Sequence, residues 1–527
     1  MATSHFKRVL IANRGEIAVR VIRALKELGI QSVAVYSDAD ASSMHVRMAD
    51  LAIRLPGRLA VETYLNIPAL LNAIKISGAD GVHPGYGFLS ENADFAEAVA
   101  NAGAKFIGPS PAAMRLMGDK IAAKILMKKT GVAVVPGSDH PLKSAAEIKA
   151  IAEQIGYPLI LKAAAGGGGR GMRIVRRDEE LADSLAACQR EALAWFGNAA
   201  VFCERYIERP RHIEIQVLFD EHGNGIHLFE RDCSIQRRHQ KLVEEAPSTF
   251  LNQSQRESLG ATAVRAAKAA GYSNAGTIEF ICESPEQIYF MEMNTRIQVE
   301  HPVTEAITGV DLVRAQILVA SGEKLPLTQK DVILRGCAME LRINAEDPAM
   351  GFAPAPGRVA QLVFPAGPNV RVDTHMYPGY TIPSEYDSMV AKIIVSGANR
   401  SEVLARAKRA LGELQVSGVP TTARFHEALL EHPDFIKGEV TTKFLEEQQP
   451  WMDRVFSNAG QETSSQHGND AGAILAAISF LGASPNMSSD MNSESSGLKN
   501  SATSTAPTDS PPSSRWADAA RFEGLRR

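Results

Sequence analysis

Apolar and polar residues alternate in two segments near the middle of the chain, residues 277–281 and 288–293, which flank a Ser-Pro turn. Because β-branched and aromatic residues crowd both segments, the pattern predicts two antiparallel strands. In such a pair Glu279 and Glu292 face each other, and Asn294 lies on the same face as Glu292. Three converging oxygen donors suit a hard divalent ion, Mg²⁺ or Mn²⁺, that also holds substrate phosphates.

The alternative is that these residues are ordinary solvated polar residues of a hairpin. The residues that follow favour chemistry instead, since Arg296, Gln298, Glu300 and His301 bring a cation, an amide and a carboxylate within six positions. We therefore interpret residues 291–302 as the chemical centre of the chain.

The N-terminal pattern predicts a βαβ unit of a doubly wound sheet. A short apolar strand at residues 8–12 precedes a helix, Gly29 ends that helix, and a second strand follows at residues 31–36. Apolar residues recur on the helix at spacings of three or four, namely Ile17, Val21, Leu25 and Leu28. The connecting loop carries only Gly15 and no GxGxxG pattern, so a dinucleotide site is not expected there.

A glycine-rich segment in the middle third predicts a lid over phosphates. A strand at residues 158–162 delivers Lys162, five glycines follow within residues 166–171, and a return strand occupies residues 172–175. Free N–H groups in such a loop can cradle an anion, whereas the GK[ST] ending of a Walker A loop is missing. A disordered linker is the alternative, and we favour the hairpin lid.

Two further segments offer ligand-binding side chains. HPGYGFLSEN at residues 83–92 follows an apolar strand and presents His83 and Tyr86, although it also fits a tight turn capped by Ser90. Lys120 lies at the start of a helix over residues 121–129, and taken alone it would be interpreted as an ordinary exposed lysine.

The remaining pattern predicts strands, helices and a tail. We expect strands at residues 201–207, 211–217 (half-buried), 335–347, 359–364 and 389–395, and helices at residues 303–322 and 400–414. From about Ser457 the composition turns to Ser, Thr, Asn, Gly and Pro, which is typical of a disordered linker or partner contact. Short helices are possible there at residues 471–481 and 516–525.

Composition narrows the class of protein. The 527 residues suffice for roughly three domains, and a formal net charge of −4 supplies no basic field for nucleic acid. The five cysteines form no CxxC pair, which argues against zinc and a disulfide framework. The longest apolar run, residues 471–481, is too short to span a bilayer, so we expect a cytoplasmic protein that binds neither nucleic acid nor membrane.

Several motifs occur together in one order: NRGE (13–16), HPGYGFLSEN, LMGDK (116–120), KAAAGGGGRGMR (162–173), ERDCSIQRRHQKLVEEAP (230–247), MEMNTRIQVEHPVTE (291–305) and RINAEDP (342–348). As a set, over residues 6–448, they closely resemble biotin carboxylase, within the ATP-grasp superfamily.

This resemblance implies an α/β and α+β fold of three domains. We expect an N-terminal doubly wound domain at residues 1–117, and an ATP-grasp domain at 118–330 with a mobile Gly-rich lid at about 135–203. A C-terminal mixed α/β domain is expected at 331–450, followed by a Ser-rich tail at 451–527.

The resemblance also implies a reaction in which ATP and bicarbonate give carboxyphosphate, which carboxylates N1′ of biotin. The implied ATP-binding residues are Lys120, Lys162, Gly168, Gly169, Glu204, Arg205, Tyr206, Ile207, His212, Gln236, His239, Glu279, Ile281 and Glu292. The implied bicarbonate pocket consists of Lys241, Arg296, Gln298, Val299 and Glu300. The implied biotin-binding residues are Tyr86 and Arg342. Lys241, Arg296, Glu300 (the base) and Arg342 are the implied catalytic residues, and two Mg²⁺ or Mn²⁺ ions are expected on Glu279, Glu292 and Asn294.

The chain departs from the family pattern at Ala165, where relatives often carry glycine, and in its long tail. It contains no Met-Lys-Met biotin-attachment sequence and no carboxyltransferase region. We therefore expect biotin to be a carrier-bound substrate, with carrier and transferase on separate chains, and a homodimer formed through the helix of Arg23 and Glu27. An acetyl-CoA or other acyl-CoA carboxylase is favoured, and a pyruvate carboxylase is also open.

Two rival functions remain at this point. One is another ATP-grasp ligase, such as a purine-pathway carboxylase or half of a carbamoyl-phosphate synthetase. The other is an inactive homologue that acts as a scaffold for the carrier and transferase.

Overall fold

The computed structural model describes residues 6–164 and 171–457 of the chain. The N-terminal elements are β1 (Arg8–Ile11), α1 (Gly15–Glu27), β2 (Gln31–Tyr36), α2 (Met44–Met48), β3 (Leu51–Arg54), α3 (Ile67–Ser77), β4 (Gly81–His83), α4 (Ala93–Asn101), β5 (Lys105–Phe106) and α5 (Pro111–Gly118). All neighbouring strands pair in parallel in the order β3-β2-β1-β4-β5, which confirms the predicted βαβ unit.

This sheet presents a loop at the carboxyl end of β1. Val9, Leu10 and Ile11 are fully buried, because helices cover both faces of the sheet. Gly15 begins α1 with a φ of +67°, a conformation that glycine adopts without the steric cost that a side chain would bring. The turn carries Asn13, whose amide donates to the Pro84 and Tyr86 carbonyls, so the two loops at this edge are joined.

The middle of the chain supplies α6 (Lys120–Lys129), α7 (Ala145–Ile155), β6 (Leu159–Ala163), β7 (Met172–Val175), α8 (Leu181–Phe196), β8 (Val201–Arg205), β9 (Arg211–Phe219), β10 (Gly225–Arg237), β11 (Gln240–Ala246), α9 (Gln253–Ala269), β12 (Asn274–Ser284), β13 (Gln287–Asn294), α10 (His301–Thr308) and α11 (Leu312–Ala320). β6 pairs antiparallel with both β7 and β8 in a separate three-stranded sheet. The predicted hairpin is therefore confirmed. Residues 165–170, which include the predicted ATP-binding residues Gly168 and Gly169, lie outside the described residues.

The C-terminal elements are β14 (Cys337–Asn344), β15 (Glu346–Asp347), β16 (Ala353–Pro354), β17 (Gly357–Arg358), β18 (Gln361–Val363), β19 (Val370–Thr374), β20 (Thr381–Ile382), β21 (Met389–Gly397), α12 (Arg400–Glu413), β22 (Gln415–Ser417), α13 (Ala423–Leu430), α14 (Pro433–Lys437), α15 (Phe444–Glu447) and α16 (Gln449–Ser457). Three of these strands join those of the middle region in one eight-stranded sheet, ordered β13-β12-β9-β10-β11-β14-β21-β19. All the pairings in this sheet are antiparallel.

The two faces of the large sheet differ in chemistry. On β9, Ile213, Ile215 and Val217 pack into an apolar core together with the alanines of α9. The intervening Glu214 and Gln216 point to the other face and are also fully buried. The strand predicted at residues 211–217 is therefore confirmed as part of β9, but it is buried on both faces and not half-buried, because polar partners cover the second face.

Three other predictions need correction. Residues 303–322 form two helices, since Gly309 ends α10 in the left-handed region and Asp311 caps α11. The strand predicted at residues 359–364 is shorter and spans only β18. Residues 451–457, which were predicted as part of the tail, belong to α16, and Met452 on that helix is buried. Residues 458–527, with both predicted tail helices, lie outside the described part.

Candidate active site

A row of three glutamates crosses three neighbouring strands of the large sheet. Glu279 on β12 is the register partner of Glu214 on β9 and of Glu292 on β13. The hairpin prediction that Glu279 and Glu292 face each other is therefore confirmed. Because like charges opposite one another destabilise a sheet, this row requires cations around it.

Lys241 is the central cation of the site. Its Nζ atom lies 2.6 Å from Glu214, 2.9 Å from Glu279 and 2.6 Å from Glu300. Burial alone would lower the pKa of this ammonium, but the three carboxylates raise it well above its ordinary value. Lys241 is therefore charged at neutral pH and joins the glutamate row to α10.

Arg231 forms the buried floor beneath this row. Its fully buried guanidinium donates to Glu214 at 2.5 Å, to Gln216 at 2.8 Å and to Gln298 at 2.6 Å. The Gln298 amide group in turn donates to Glu279 at 2.8 Å. Arg231 thus fixes both a carboxylate and an amide of the site, as a planar fork of donors can.

Glu300 lies immediately before α10 and is buried. One carboxylate oxygen accepts from Lys241, and the other accepts from Arg342 at 2.8 Å. Burial raises the pKa of this carboxyl, yet Lys241 and Arg342 outweigh it and hold the pKa below its ordinary value. Glu300 is therefore ionised and able to accept a proton.

Arg342 is shared between two carboxylates. Its Nε atom donates to Glu244 at 2.6 Å while the other side of the guanidinium reaches Glu300. Burial, only partly offset by Arg342, raises the pKa of Glu244 to about 7. Arg342 belongs to β14, so one sheet carries this arginine and the glutamate row.

Arg296 lies at the opposite rim of the site. It donates to Glu91 at 2.9 Å and to the Asn294 side-chain oxygen at 3.0 Å. Glu91 also accepts from the backbone N–H of Thr295 at 2.9 Å. The HPGYGFLSEN loop therefore fixes the orientation of this guanidinium.

The predicted metal ligands lie together on the hairpin. The Asn294 amide donates to Glu279 at 2.8 Å, and Lys120 lies 3.7 Å from Glu292. Partial burial and the charge of Glu279 raise the pKa of the Glu292 carboxyl. A divalent cation between these oxygens would relieve that repulsion, so the residues fit Mg²⁺ or Mn²⁺.

His212 provides another candidate ligand close to this group. His212, Glu214 and Glu279 offer ligand atoms within 4.8 Å of one another. Burial would lower the pKa of His212, but Glu279 at 3.2 Å outweighs it and raises the pKa to about 9. A protonated imidazole donates hydrogen bonds and does not bind metals, so in this arrangement His212 acts as a cation.

Lys162 of the lid hairpin is held by a buried carboxylate. Glu204 accepts from Lys162 at 2.5 Å and from Lys124 at 2.7 Å. Although burial raises the pKa of Glu204, the two ammonium groups lower it to about 2. This pairing joins β6 and β8 to α6, whose first residue is Lys120.

The other predicted nucleotide contacts lie on or just after β8, β10 and β12 and in the β10–β11 turn. Arg205 donates to the Tyr289 hydroxyl at 3.2 Å, and Gln236 donates to the Cys233 carbonyl at 3.3 Å. His239 lies in the exposed β10–β11 turn with a φ of +66°, a conformation disfavoured for a non-glycine residue. The remaining members are Tyr206 and Ile207 just after β8 and Ile281 on β12.

Tyr86 lines a cavity of about 140 Å³ at the edge of the N-terminal sheet. Asp387, Met389 and His375 line the same cavity. The Tyr86 hydroxyl donates to Glu16, and desolvation together with that carboxylate raises the pKa of the phenol well above its ordinary value. Tyr86 therefore remains a neutral hydrogen-bonding group.

Sequence reasoning missed four carboxylates of the site: Glu16, Glu91, Glu214 and Glu244. Each pairs with a predicted site residue that is distant in sequence, as Glu91 does with Arg296 across 205 positions. Only Glu214 had a local signal, since it alternates with His212 and Gln216 on one face of a strand.

Comparison with known proteins identifies the family of this chain. Three family models match it in order: "Biotin carboxylase, N-terminal domain" over residues 5–114, "Carbamoyl-phosphate synthase L chain, ATP binding domain" over 119–328, and "Biotin carboxylase C-terminal domain" over 340–447. The biotin carboxylase of a Nostoc species is 54% identical over 442 residues, which cover 84% of this chain and 99% of that protein.

Solved structures agree with this assignment. The biotin carboxylase domain dimer of Hydrogenobacter thermophilus 2-oxoglutarate carboxylase, described in complex with MgADP, ADP and bicarbonate, is 50% identical with a TM-score of 0.82, covering 86% of this chain and 98% of that one. A Campylobacter jejuni biotin carboxylase–β,γ-ATP complex is 47% identical with a TM-score of 0.82, covering 85% and 100%.

Among the described residues, no helix combines the length and apolar character needed to cross a bilayer. The two biotin carboxylase models match residues on either side of the middle model, which contains the glutamate row. The chain belongs to the biotin carboxylase family of ATP-grasp enzymes.

Proposed function

We propose that this enzyme carboxylates biotin on a carrier protein, with ATP and bicarbonate as co-substrates and carboxyphosphate as the intermediate. The observation that carries the proposal is the contact of Glu300 with both Lys241 and Arg342. It places an anion-binding ammonium and a guanidinium each within hydrogen-bond distance of one proton acceptor. Such a group suits both activation of bicarbonate and stabilisation of a developing oxyanion.

Lys120 and Lys162 bind the ATP phosphates in this proposal, and Gly168 and Gly169 of the lid cover them. Glu279, Glu292 and Asn294 would hold the Mg²⁺ or Mn²⁺ ions, and such ions would supply positive charge to the phosphoryl group. The contact of Glu204 with Lys162 supports this role, because it orients an ammonium on the separate three-stranded sheet. The purine and ribose lie against Glu204, Arg205, Tyr206, Ile207, His212, Gln236, His239 and Ile281.

Bicarbonate lies among Lys241, Arg296, Gln298 and Val299. Glu300 removes its proton, and the resulting oxygen attacks the terminal phosphorus of ATP while ADP leaves. Bicarbonate is a poor nucleophile until deprotonated, so a positioned carboxylate base is the essential group. When the anion binds Lys241, that ammonium is shared, and Glu300 becomes more basic as it loses part of its hydrogen bond.

Biotin approaches between Tyr86 and Arg342. N1′ of its ureido ring is a very weak acid, and a guanidinium facing the ureido oxygen stabilises the enolate form. The cavity beside Tyr86 supports an approach from the N-terminal domain. Since carboxyphosphate hydrolyses readily, exclusion of water by the lid protects the intermediate.

The carrier and the carboxyltransferase are separate chains in this proposal, and the transferase selects the final acceptor, most simply an acyl-CoA.

The enzyme forms a homodimer through α1, where Arg23 and Glu27 are exposed. The Hydrogenobacter relative, whose structure is described as a dimer, supports this. Light scattering at micromolar concentration tests it, and a monomer contradicts it.

Bicarbonate-dependent ATP hydrolysis, measured with and without free biotin, tests the reaction. We expect no hydrolysis above background in bicarbonate-depleted buffer, and stimulation by biotin when bicarbonate is present. Bicarbonate-dependent hydrolysis without stimulation by biotin would favour another ATP-grasp ligase, and no hydrolysis at all would favour the scaffold.

A further inference from the structure

Lys392, in the middle of β21, is a fully buried lysine that the proposed reaction does not use. Its ammonium lies 3.0 Å from a Glu16 carboxylate oxygen and donates to the Val299 carbonyl at 2.8 Å. Asp373 is more distant, at 4.0 Å. Burying an ammonium costs much more free energy than an apolar side chain would, so this group requires a reason.

Glu16 connects the same ammonium to the opposite side of the site. The carboxylate oxygen that faces Lys392 also accepts the hydrogen bond of the Tyr86 hydroxyl. A continuous chain of contacts therefore runs from the Val299 carbonyl through Lys392 and Glu16 to Tyr86. We call this chain the Lys392 relay.

The relay joins four segments that are far apart in sequence, two pairs of which are also joined by Asn13 and by Glu91. Val299 lies in the loop before α10, Lys392 in β21, Glu16 in the first turn of α1 and Tyr86 in the loop after β4. The carbonyl that Lys392 binds belongs to the peptide between Val299 and Glu300. The ammonium therefore holds the backbone of the proposed base in place. Tyr86, at the other end, lines the cavity on the biotin side.

Stability alone explains such a pair poorly. Replacing a buried ion pair with apolar groups of similar volume is often neutral or stabilising, whereas removing one partner is strongly destabilising. A buried pair that also bonds a backbone carbonyl and a tyrosine hydroxyl restricts four groups to one arrangement. This geometric restriction is what a preorganised site needs.

Taking the proposed function as its basis, we propose that Lys392 and Glu16 are positioning residues that align the Val299–Glu300 peptide with Tyr86. Neither side chain touches a substrate. They act by holding the bicarbonate side and the biotin side of the site in one fixed relation. Loss of the relay therefore affects use of both substrates and leaves ATP binding unchanged.

The test uses Lys392→Met/Glu16→Gln, which removes both charges of this pair at once, so that neither is left without the other. We expect this double variant to fold, with a rise of about tenfold in the KM for bicarbonate, the scale of one lost hydrogen bond to a charged group. The KM for free biotin rises with it, and the KM for ATP does not change. Lys392→Met alone is expected to be less stable than the double variant, because it leaves Glu16 without its cation.

Arg256→Met/Glu230→Gln is the matched control. Arg256 is also a buried cation, which donates to Glu230 at 2.7 Å and to the backbone carbonyls of Ser248 and Leu251. This control variant should keep the wild-type KM for bicarbonate and for biotin. A structural role for the relay would make the two double variants behave alike.

Glu16→Gln alone is a second variant, since glutamine keeps an acceptor for Tyr86 while Lys392 loses its charged partner. A rise in the KM for bicarbonate supports the relay. A wild-type KM for bicarbonate in either Glu16→Gln or the double variant overturns it. If the wild-type chain shows no biotin-stimulated ATP hydrolysis, the proposed function fails instead, so the two failures are distinguishable.

Discussion

The guanidinium of Arg342 lies 2.8 Å from the carboxylate of Glu300, so the cation assigned to biotin holds the base assigned to bicarbonate. Arg342 can release Glu300 without becoming unpaired, because Glu244 accepts from its Nε atom. The same arginine can thus act in two successive steps. It first binds the base Glu300 and then stabilises charge on the ureido oxygen of biotin.

Glu300→Gln is the direct test of the base. The amide keeps the size of the side chain but cannot accept a proton, so we expect ATP affinity to remain and biotin carboxylation to fall by about 10²-fold or more. ATP binding and biotin-dependent turnover check this. Glu245→Gln, which instead loses its contact with Arg400, is the control. Near-normal turnover in Glu300→Gln would exclude the assigned role.

Glu91 is expected to matter through Arg296. Glu91→Ala removes the carboxylate that orients the guanidinium, and we expect the KM for bicarbonate to rise by about tenfold with the KM for ATP unchanged. Steady-state kinetics with varied bicarbonate measure this. Glu97→Ala, which removes an exposed contact with Arg115, should have no effect. Equal KM values in the two variants would contradict the prediction.

Glu292→Gln should separate metal dependence from stability. The variant lacks one carboxylate ligand, so the Mg²⁺ concentration for half-maximal ATP hydrolysis should rise by at least about tenfold. Without metal its thermal midpoint should equal or exceed that of the wild type, because repulsion with Glu279 is gone. Glu286→Gln, at an exposed position in the turn of the same hairpin, is the control. An unchanged Mg²⁺ requirement would show that Glu292 is not a ligand.

Buried histidines should make stability depend on pH. Burial lowers the pKa of His45, His83 and His426 from an ordinary value of 6.5 to about 4 in the folded chain. Below pH 6.5 these histidines bind protons in the unfolded chain but not in the folded chain. The free energy of unfolding is therefore not reduced by them above pH 6.5, and it falls as the pH drops from 6.5 towards 4. The loss is roughly 2 kcal/mol per histidine at about pH 5.

Urea midpoints at about pH 7 and about pH 5 measure this loss. His426→Gln should remove one share of it, since glutamine can still donate to the Arg342 carbonyl that His426 contacts at 2.7 Å. His140→Gln, at an exposed position, should retain the full pH dependence. The same loss in both variants would refute the assignment to buried histidines.

The sequence predicted well what is local. The hairpin of Glu279 and Glu292 was predictable because two short alternating segments and one turn determine which residues face each other. The break at Gly309 within the predicted helix was missed, since the apolar spacing continues through it. The family resemblance extended the prediction to the three-domain fold and to the reaction.

What the sequence could not predict are contacts between distant carboxylates and cations. Glu244 and Arg342 are 98 positions apart, and Glu16 and Lys392 belong to the first helix and to a strand near the end of the described chain. Isolated glutamates carry no local pattern that distinguishes a buried partner from a solvated residue. Only the assembly of the eight-stranded sheet and its packing against α1 bring them into contact.

That continuous sheet has a practical consequence for anyone who wishes to dissect the chain. The strand β11 pairs on one side with β10 and on the other with β14, across the boundary expected at residue 330. A fragment ending there would expose the β11 edge and its apolar residues, which invites aggregation. The two halves should therefore be expressed and engineered as one piece.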